Sequence, residues 1–329
     1  MTGKEFWLRW RSDIVRSVVI LGVVLGIGLF VRSVMGHTRT ALSGLGEAFD
    51  LNFASPDRNH AEPWVYSGAL AAQRTLWLRN INGSITVTPA DGKDVVIRAE
   101  RTFRHSPVDS VKIITTESNG GLTVCAVWPG RSATCGPDGH FASGGSMQGN
   151  DVAIVFDVRL PKGVRLDVST INGDVSVEGA SAPIGIVTVN GDVTAETAAG
   201  PVKAVTVNGD AHATIHGFAE AGEVNLTTVH GDVDLELPAS TDAVVDGHTV
   251  TGDISSEFPL TVSGKLASHS LTGTLGKGGR QIHITTVAGD VDVREAGSAA
   301  THVTAPIPPA PPSPRGSPRG IPRPHSGTS

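Results

Sequence analysis

From residue 163 onward, short stretches of alternating apolar and polar residues are separated by a recurring glycine turn. Val193 and Ala195 alternate with Thr194 and Glu196, and Val233, Leu235 and Leu237 with Asp234 and Glu236. A period of two predicts half-buried strands of about five residues, one face dry and one wet. The strands come in cassettes: TINGDVSV at 170–177, TVNGDVTA at 188–195, TVNGDAHA at 206–213 and TVHGDVDL at 228–235. Weaker copies follow at 249–256, 270–277 and 286–293, and an outlying copy, NINGSITV, lies upstream at 80–87. The glycines Gly173, Gly191, Gly209, Gly231, Gly252, Gly273 and Gly289 are spaced by 18, 18, 22, 21, 21 and 16 residues. Near-equal copies at such a period signal a solenoid.

Each cassette reads as strand, turn, strand. Asn172-Gly173, Asn190-Gly191 and Asn208-Gly209 predict a tight reversal with positive φ at both central residues, and Gly231, Gly252 and Gly289 mark the same turn in later copies. Coils stacked in sequence order at about 4.8 Å give a rod of roughly 34 Å. Like positions then form columns: the aliphatic residues before each turn (Ile171, Val189, Val207) inside, the hydroxyls before them (Thr170, Thr188, Thr206) beside them. The expected fold is all-β, a two-sheet, right-handed β-helix-like solenoid over 161–297, preceded by a less regular β part over 63–160. A β-sandwich of plain hairpins is the competing architecture.

The termini read differently. Residues 1–16 are basic, and an uncharged apolar run follows to Val31. Fifteen helical residues span about 22 Å, so 17–35 fits a signal h-region as well as a transmembrane anchor extended by snorkelling Arg16 and Arg32. The charge bias places 1–16 in the cytoplasm and the body outside, with 36–62 as a linker. Residues 298–329 are rich in Pro, Gly, Ser and Arg and read as a disordered tail.

Composition narrows the function. Aromatic residues are 5% and Gly 40 of 329, so the core is thin and the chain turns often. The net charge of −6 argues against nucleic acid as a partner. In an exported compartment Cys125 and Cys135, which flank a turn-rich loop, fit a disulfide.

The run LPKGVRLDVSTINGDVSVEG at 160–179, followed by the repeated TVNGDV, resembles the bacterial adhesin-like family with a toast-rack or head-GIN type β-solenoid, a domain of unknown function. LRNINGSITV at 78–87 looks like that family's opening segment. The resemblance implies a surface or periplasmic β-repeat domain and carries over no catalytic residue.

Candidate chemistry is sparse. Asp174, Asp192, Asp210, Asp232, Asp253 and Asp290 follow successive turns; stacked, they would repel unless a Ca²⁺ bridged them or each carboxylate bonded turn amides in water. His212 and His216 could share a strand face as metal ligands or simply face solvent. Glu196, Asp234 and Glu236 on the wet face are the carboxylates that glycoside chemistry would use, against a plain solvated face. No cofactor is expected. The function expected is a non-catalytic envelope scaffold, held by its N-terminal helix, that binds a surface glycan or an envelope protein. A membrane-anchored sensor or regulatory module is the alternative, and a carbohydrate-active enzyme on a β-helix a further one.

Overall fold

The computed structural model describes residues 58–130, 133–142, 149–198, 200–218, 221–265 and 268–297. The N-terminal apolar run and the proline-rich tail lie outside them. Among the described residues no helix is long and apolar enough to cross a membrane.

The body is all-β, with two 11-stranded sheets and a two-stranded ribbon, Thr134–Cys135 with Phe141–Ala142. One repeat is one coil: a strand in the back sheet, a corner, and a strand in the front sheet. The first coil runs from Thr75–Arg79 to Ile85–Pro89, and the second from Arg165–Ser169 to Val175–Ala180. Then follow Ile184–Val187 with Val193–Thr197, Val202–Val205 with Ala211–Ile215, and Val224–Thr227 with Val233–Leu237. All these ladders are parallel and in register: Ile85, Val175, Val193, Ala211 and Val233 are successive partners. Each of these side chains is at most 1% exposed. Val and Ala fill the narrow space between the sheets, and a single coil could bury none of it alone.

The stack does not follow the chain throughout. After Leu237 the chain skips one slot. Ala243–Thr251 and Ile254–Ser256 form the outermost coil, the hairpin Thr261–Lys265 and Ser268–Leu275 folds back on it, and Arg280–Ala288 with Val291–Glu295 then fills the vacant slot. The expectation of coils stacked in sequence order therefore fails for the last two. The cassette at 270–277 is not a corner: Gly273 lies inside Ser268–Leu275, opposite Val245 in an antiparallel pair. The upstream copy, in contrast, is the coil directly beneath the one at Gly173. A period in sequence gives the repeat unit but not the order of insertion, because every cassette presents the same edge to its neighbours.

Both ends close with antiparallel strands. Asp94–Phe103 and Trp64–Ala69 extend the front sheet, and Lys112–Glu117 the back sheet, at the N-terminal end. The fully buried Phe156 and the nearly buried Trp128 sit in this part. The wider N-terminal end therefore takes the ring-sized side chains that the uniform coils have no room for.

Candidate functional site

The corners are hydrogen-bond ladders rather than hairpin turns. Gly173, Gly191, Gly209 and Gly231 each have φ +149, while the preceding Asn172, Asn190, Asn208 and His230 are ladder-bridged and none has positive φ. This corrects the expected two-residue reversal: the chain turns from one sheet into the other and does not double back. A Cβ on Gly209 would lie 2.2 Å from the Gly191 carbonyl oxygen, so stacking at strand spacing admits only glycine.

The threonines, not the aliphatics, point inward. Thr170, Thr188, Thr206, Thr228, Thr249 and Thr286 are at most 1% exposed, whereas Ile171, Val189, Val207, Val229, Val250 and Val287 are half-buried. The buried glycine carbonyl of each corner would otherwise lack a partner. Thr188 Oγ1 donates to Gly173 O at 3.1 Å, Thr206 to Gly191 at 2.9 Å, Thr228 to Gly209 at 2.8 Å, Thr286 to Gly231 at 3.0 Å and Thr249 to Gly289 at 2.9 Å. An aliphatic side chain there would bury the carbonyl unpaired.

Two polar ladders line the outer side. Asn190 Nδ2 donates to Asn172 Oδ1 and Asn208 Nδ2 to Asn190 Oδ1, both at 2.8 Å. The aspartates form the second: Asp174, Asp192, Asp210, Asp232 and Asp290 each accept, through Oδ1, the backbone N–H of the next aspartate at 2.7–3.0 Å. The last of these donors is Asp253. All six are exposed, so water screens their repulsion while each amide is satisfied. Among the described residues no group of three His, Cys, Asp or Glu is arranged to hold a metal ion.

The front sheet's outer face gathers the remaining chemistry-bearing residues. Register aligns Ser176, Thr194, His212, Asp234, Asp292 and Ser255 in one row, and Glu196, Thr214, Glu236 and Arg294 in the next. His212 Nε2 lies 3.2 Å from Thr214 Oγ1, which donates to Glu236 Oε2 at 3.4 Å. His216 does not join His212; its Nε2 is 3.0 Å from Glu196 Oε1. Arg294 bonds Asp292 at 2.5 Å and Asp234 at 3.1 Å. Burial pushes the Asp234 carboxyl above its usual range, against the pull of Arg294 and His212, and the Asp292 bond raises Arg294. Sequence reading found Glu196, Asp234, Glu236 and the histidines but missed Thr214, Asp292 and Arg294. Aligning VDVRE with VDLEL would have placed Asp292 beside Asp234 and Arg294 beside Glu236.

Cys125 and Cys135 form a disulfide with Cα atoms 5.9 Å apart. It ties the loop over the back sheet, where Arg79, 5% exposed, donates to Gly139 O at 3.1 Å and pairs with Asp167 at 2.8 Å.

A two-sheet parallel β-stack with glycine corners and an open polar face defines the class of protein. A model of the Toastrack DUF4097 family matches residues 69–294, and the chain belongs to that family. Among solved structures it is similar to a "putative cell adhesion protein" from Clostridium sporogenes ATCC 15579, at 12% identity over 71% of this chain and 100% of that one, with a TM-score of 0.44. It is also similar to a "putative adhesin" from Bacteroides fragilis NCTC 9343, at 8% identity over 71% and 97%, with a TM-score of 0.26. No curated relative matches the chain.

Proposed function

We propose that the protein is a non-catalytic binding scaffold of the cell envelope, held by its N-terminal apolar segment with the β body exported. The front face is its ligand surface. The observation that carries this reading is the alignment of hydrogen-bonding side chains in two rows at strand spacing, from Ser176 to Ser255 and from Glu196 to Arg294. Their backbone is fixed by ladders on both sides, and Arg294 clamps Asp234 and Asp292. Side chains ordered before contact lose little entropy on binding. An extended polar ligand, such as a glycan chain or an exposed strand of an envelope protein, can contact such rows repeatedly.

The full-length protein in detergent, exposed to envelope polysaccharide and to envelope protein extract, should bind one of them saturably without turnover. His212→Ala with Glu236→Gln should weaken that binding about tenfold or more at unchanged Tm, since each lost hydrogen bond to a ligand contributes about 1 kcal/mol. Unchanged affinity would remove the front face from the proposal, and cleavage of the glycan would replace it by an enzymatic one.

A further inference from the structure

The N-terminal end of the body presents two strand edges at once. Trp64–Ala69 borders the front sheet and Lys112–Glu117 the back sheet, and neither has an outer partner among the described residues. The Leu70 amide donates to Lys93 O at 3.1 Å. By the alternation of antiparallel ladders, Trp64, Tyr66 and Gly68 direct their backbone groups at Asp94–Phe103, while Val65, Ser67 and Ala69 turn theirs away from the sheet. Ser118 and Gly121 exchange both of their backbone bonds, at 2.8 and 3.3 Å. Ile113, Thr115 and Glu117 therefore turn theirs outward on the other edge.

The two edges are held together. Trp64 and Tyr66 stack with ring centroids 6.3 Å apart, and the Tyr66 hydroxyl donates to Glu117 Oε1 at 3.0 Å, crossing from one sheet to the other. Free edges in natural proteins carry charge or proline where pairing must be prevented. Here Val65 is 58% exposed and Ile114 37% exposed. Together with Val262 on Thr261–Lys265, an edge strand at the other end, these are the exposed large hydrophobic residues of the described body.

We infer that this end is a self-association surface, and that its occupant is a second copy of the same chain. A dyad perpendicular to both sheets adds each edge strand antiparallel to its own counterpart, so front joins front and back joins back in one closed, isologous contact. Charge selects this arrangement. Lys112 opens the back edge strand and Glu117 closes it, so antiparallel self-pairing brings each lysine end beside the partner's glutamate end. Parallel pairing would set lysine beside lysine. A contact of this end with the Thr261–Lys265 end would leave free edges and grow into fibres.

The test uses the full chain in detergent, weighed by light scattering, and in native membranes, probed by cysteine cross-linking. The wild type should have twice the protomer mass. Val65→Lys with Ile114→Lys should reduce it to the protomer mass at unchanged Tm, and Val262→Lys should leave it doubled. Cys125 and Cys135 are paired and no free cysteine is present among the described residues, so Thr115→Cys adds a lone thiol. In oxidised membranes it should give a band at twice the protomer mass that reductant abolishes, a readout that stands even where the lysine variant fails to fold. Protomer mass for the wild type, no cross-linked band, or dissociation caused by Val262→Lys would overturn the inference.

Discussion

His269 Nδ1 lies 2.7 Å from the carbonyl oxygen of Gly252. In every earlier corner that glycine carbonyl is met by a threonine of the next coil. Gly252 belongs to the outermost corner and has no next coil, so an imidazole from the antiparallel hairpin takes the threonine's place. The ring must carry its proton on Nδ1 to donate there. His269→Ala should lower stability by about 1–2 kcal/mol, the cost of an unpaired, partly buried carbonyl, seen as a lower denaturant midpoint. A midpoint equal to wild type would show that water serves Gly252 equally well.

Inside the stack the same argument applies to Thr206, whose hydroxyl meets the Gly191 carbonyl at 2.9 Å. Thr206→Val keeps the shape and removes the donor, and should cost about 1–3 kcal/mol. Thr206→Ser keeps the donor and should cost less. The order of the two midpoints separates hydrogen bonding from packing, since a purely steric role would reverse it.

Gly209→Val should cost about 4 kcal/mol or more. The new Cβ would strike the Gly191 oxygen, and a β-branched residue resists φ +149. Gly185→Ala is the control: it lies within a strand, and its Cβ would meet nothing closer than 3.8 Å. That variant should stay within about 0.5 kcal/mol of wild type. Equal Tm losses for both would mean that the corner geometry is not what demands glycine.

Asp151 sets a pH dependence. Burial alone would raise its pKa, but the amides of His105, Ser106 and Arg104 and the Ser106 hydroxyl hold it well below the usual carboxylate range. The native state therefore binds a proton less readily than the unfolded chain. The stabilisation is complete above the unfolded value of about 3.9 and is lost as pH falls through the lower folded value. Asp151→Asn should flatten the acid limb of a stability-versus-pH curve and lower the plateau near neutrality. An unchanged acid limb would assign the acid sensitivity elsewhere.

How much of this was legible in the sequence depends on what each residue touches. The cassettes exposed the coils because Thr-Val-Asn-Gly-Asp is the same local solution repeated, and period two placed Glu196, Asp234 and Glu236 on one face. The inward direction of Thr188 was hidden. Hydropathy assigns the interior to Val189, and only the pairing partner, a carbonyl one coil away, reverses that assignment. Arg294 and Asp292 escaped notice because their neighbours, Asp234 and Glu236, are nearly sixty residues distant in the chain. The same gap hid the exchanged order of the last coils.

That exchange makes the final coil a keystone. Ala243–Thr251 pairs with Arg280–Ala288, and Arg280–Ala288 with Val224–Thr227, so the outermost coil and its hairpin reach the stack only through residues 280–295. In a simple solenoid, removing the last coil in sequence exposes the preceding one and costs one interface. Here, ending the chain at residue 278 removes an interior coil and leaves two facing edges without a partner. Hydrogen exchange on such a truncation should show lost protection over 243–275 as well as at Val224–Thr227 and Val233–Leu237, with the coils from Arg165 to Ile215 retained. Should 243–275 keep its protection, Thr249–Ile254 must have dropped into the vacated slot against Thr228–Val233, which the shared cassette allows. The corner would then close on Gly231 instead of Gly289, and a Gly231–Gly252 contact would distinguish that rescue from an independently stable cap.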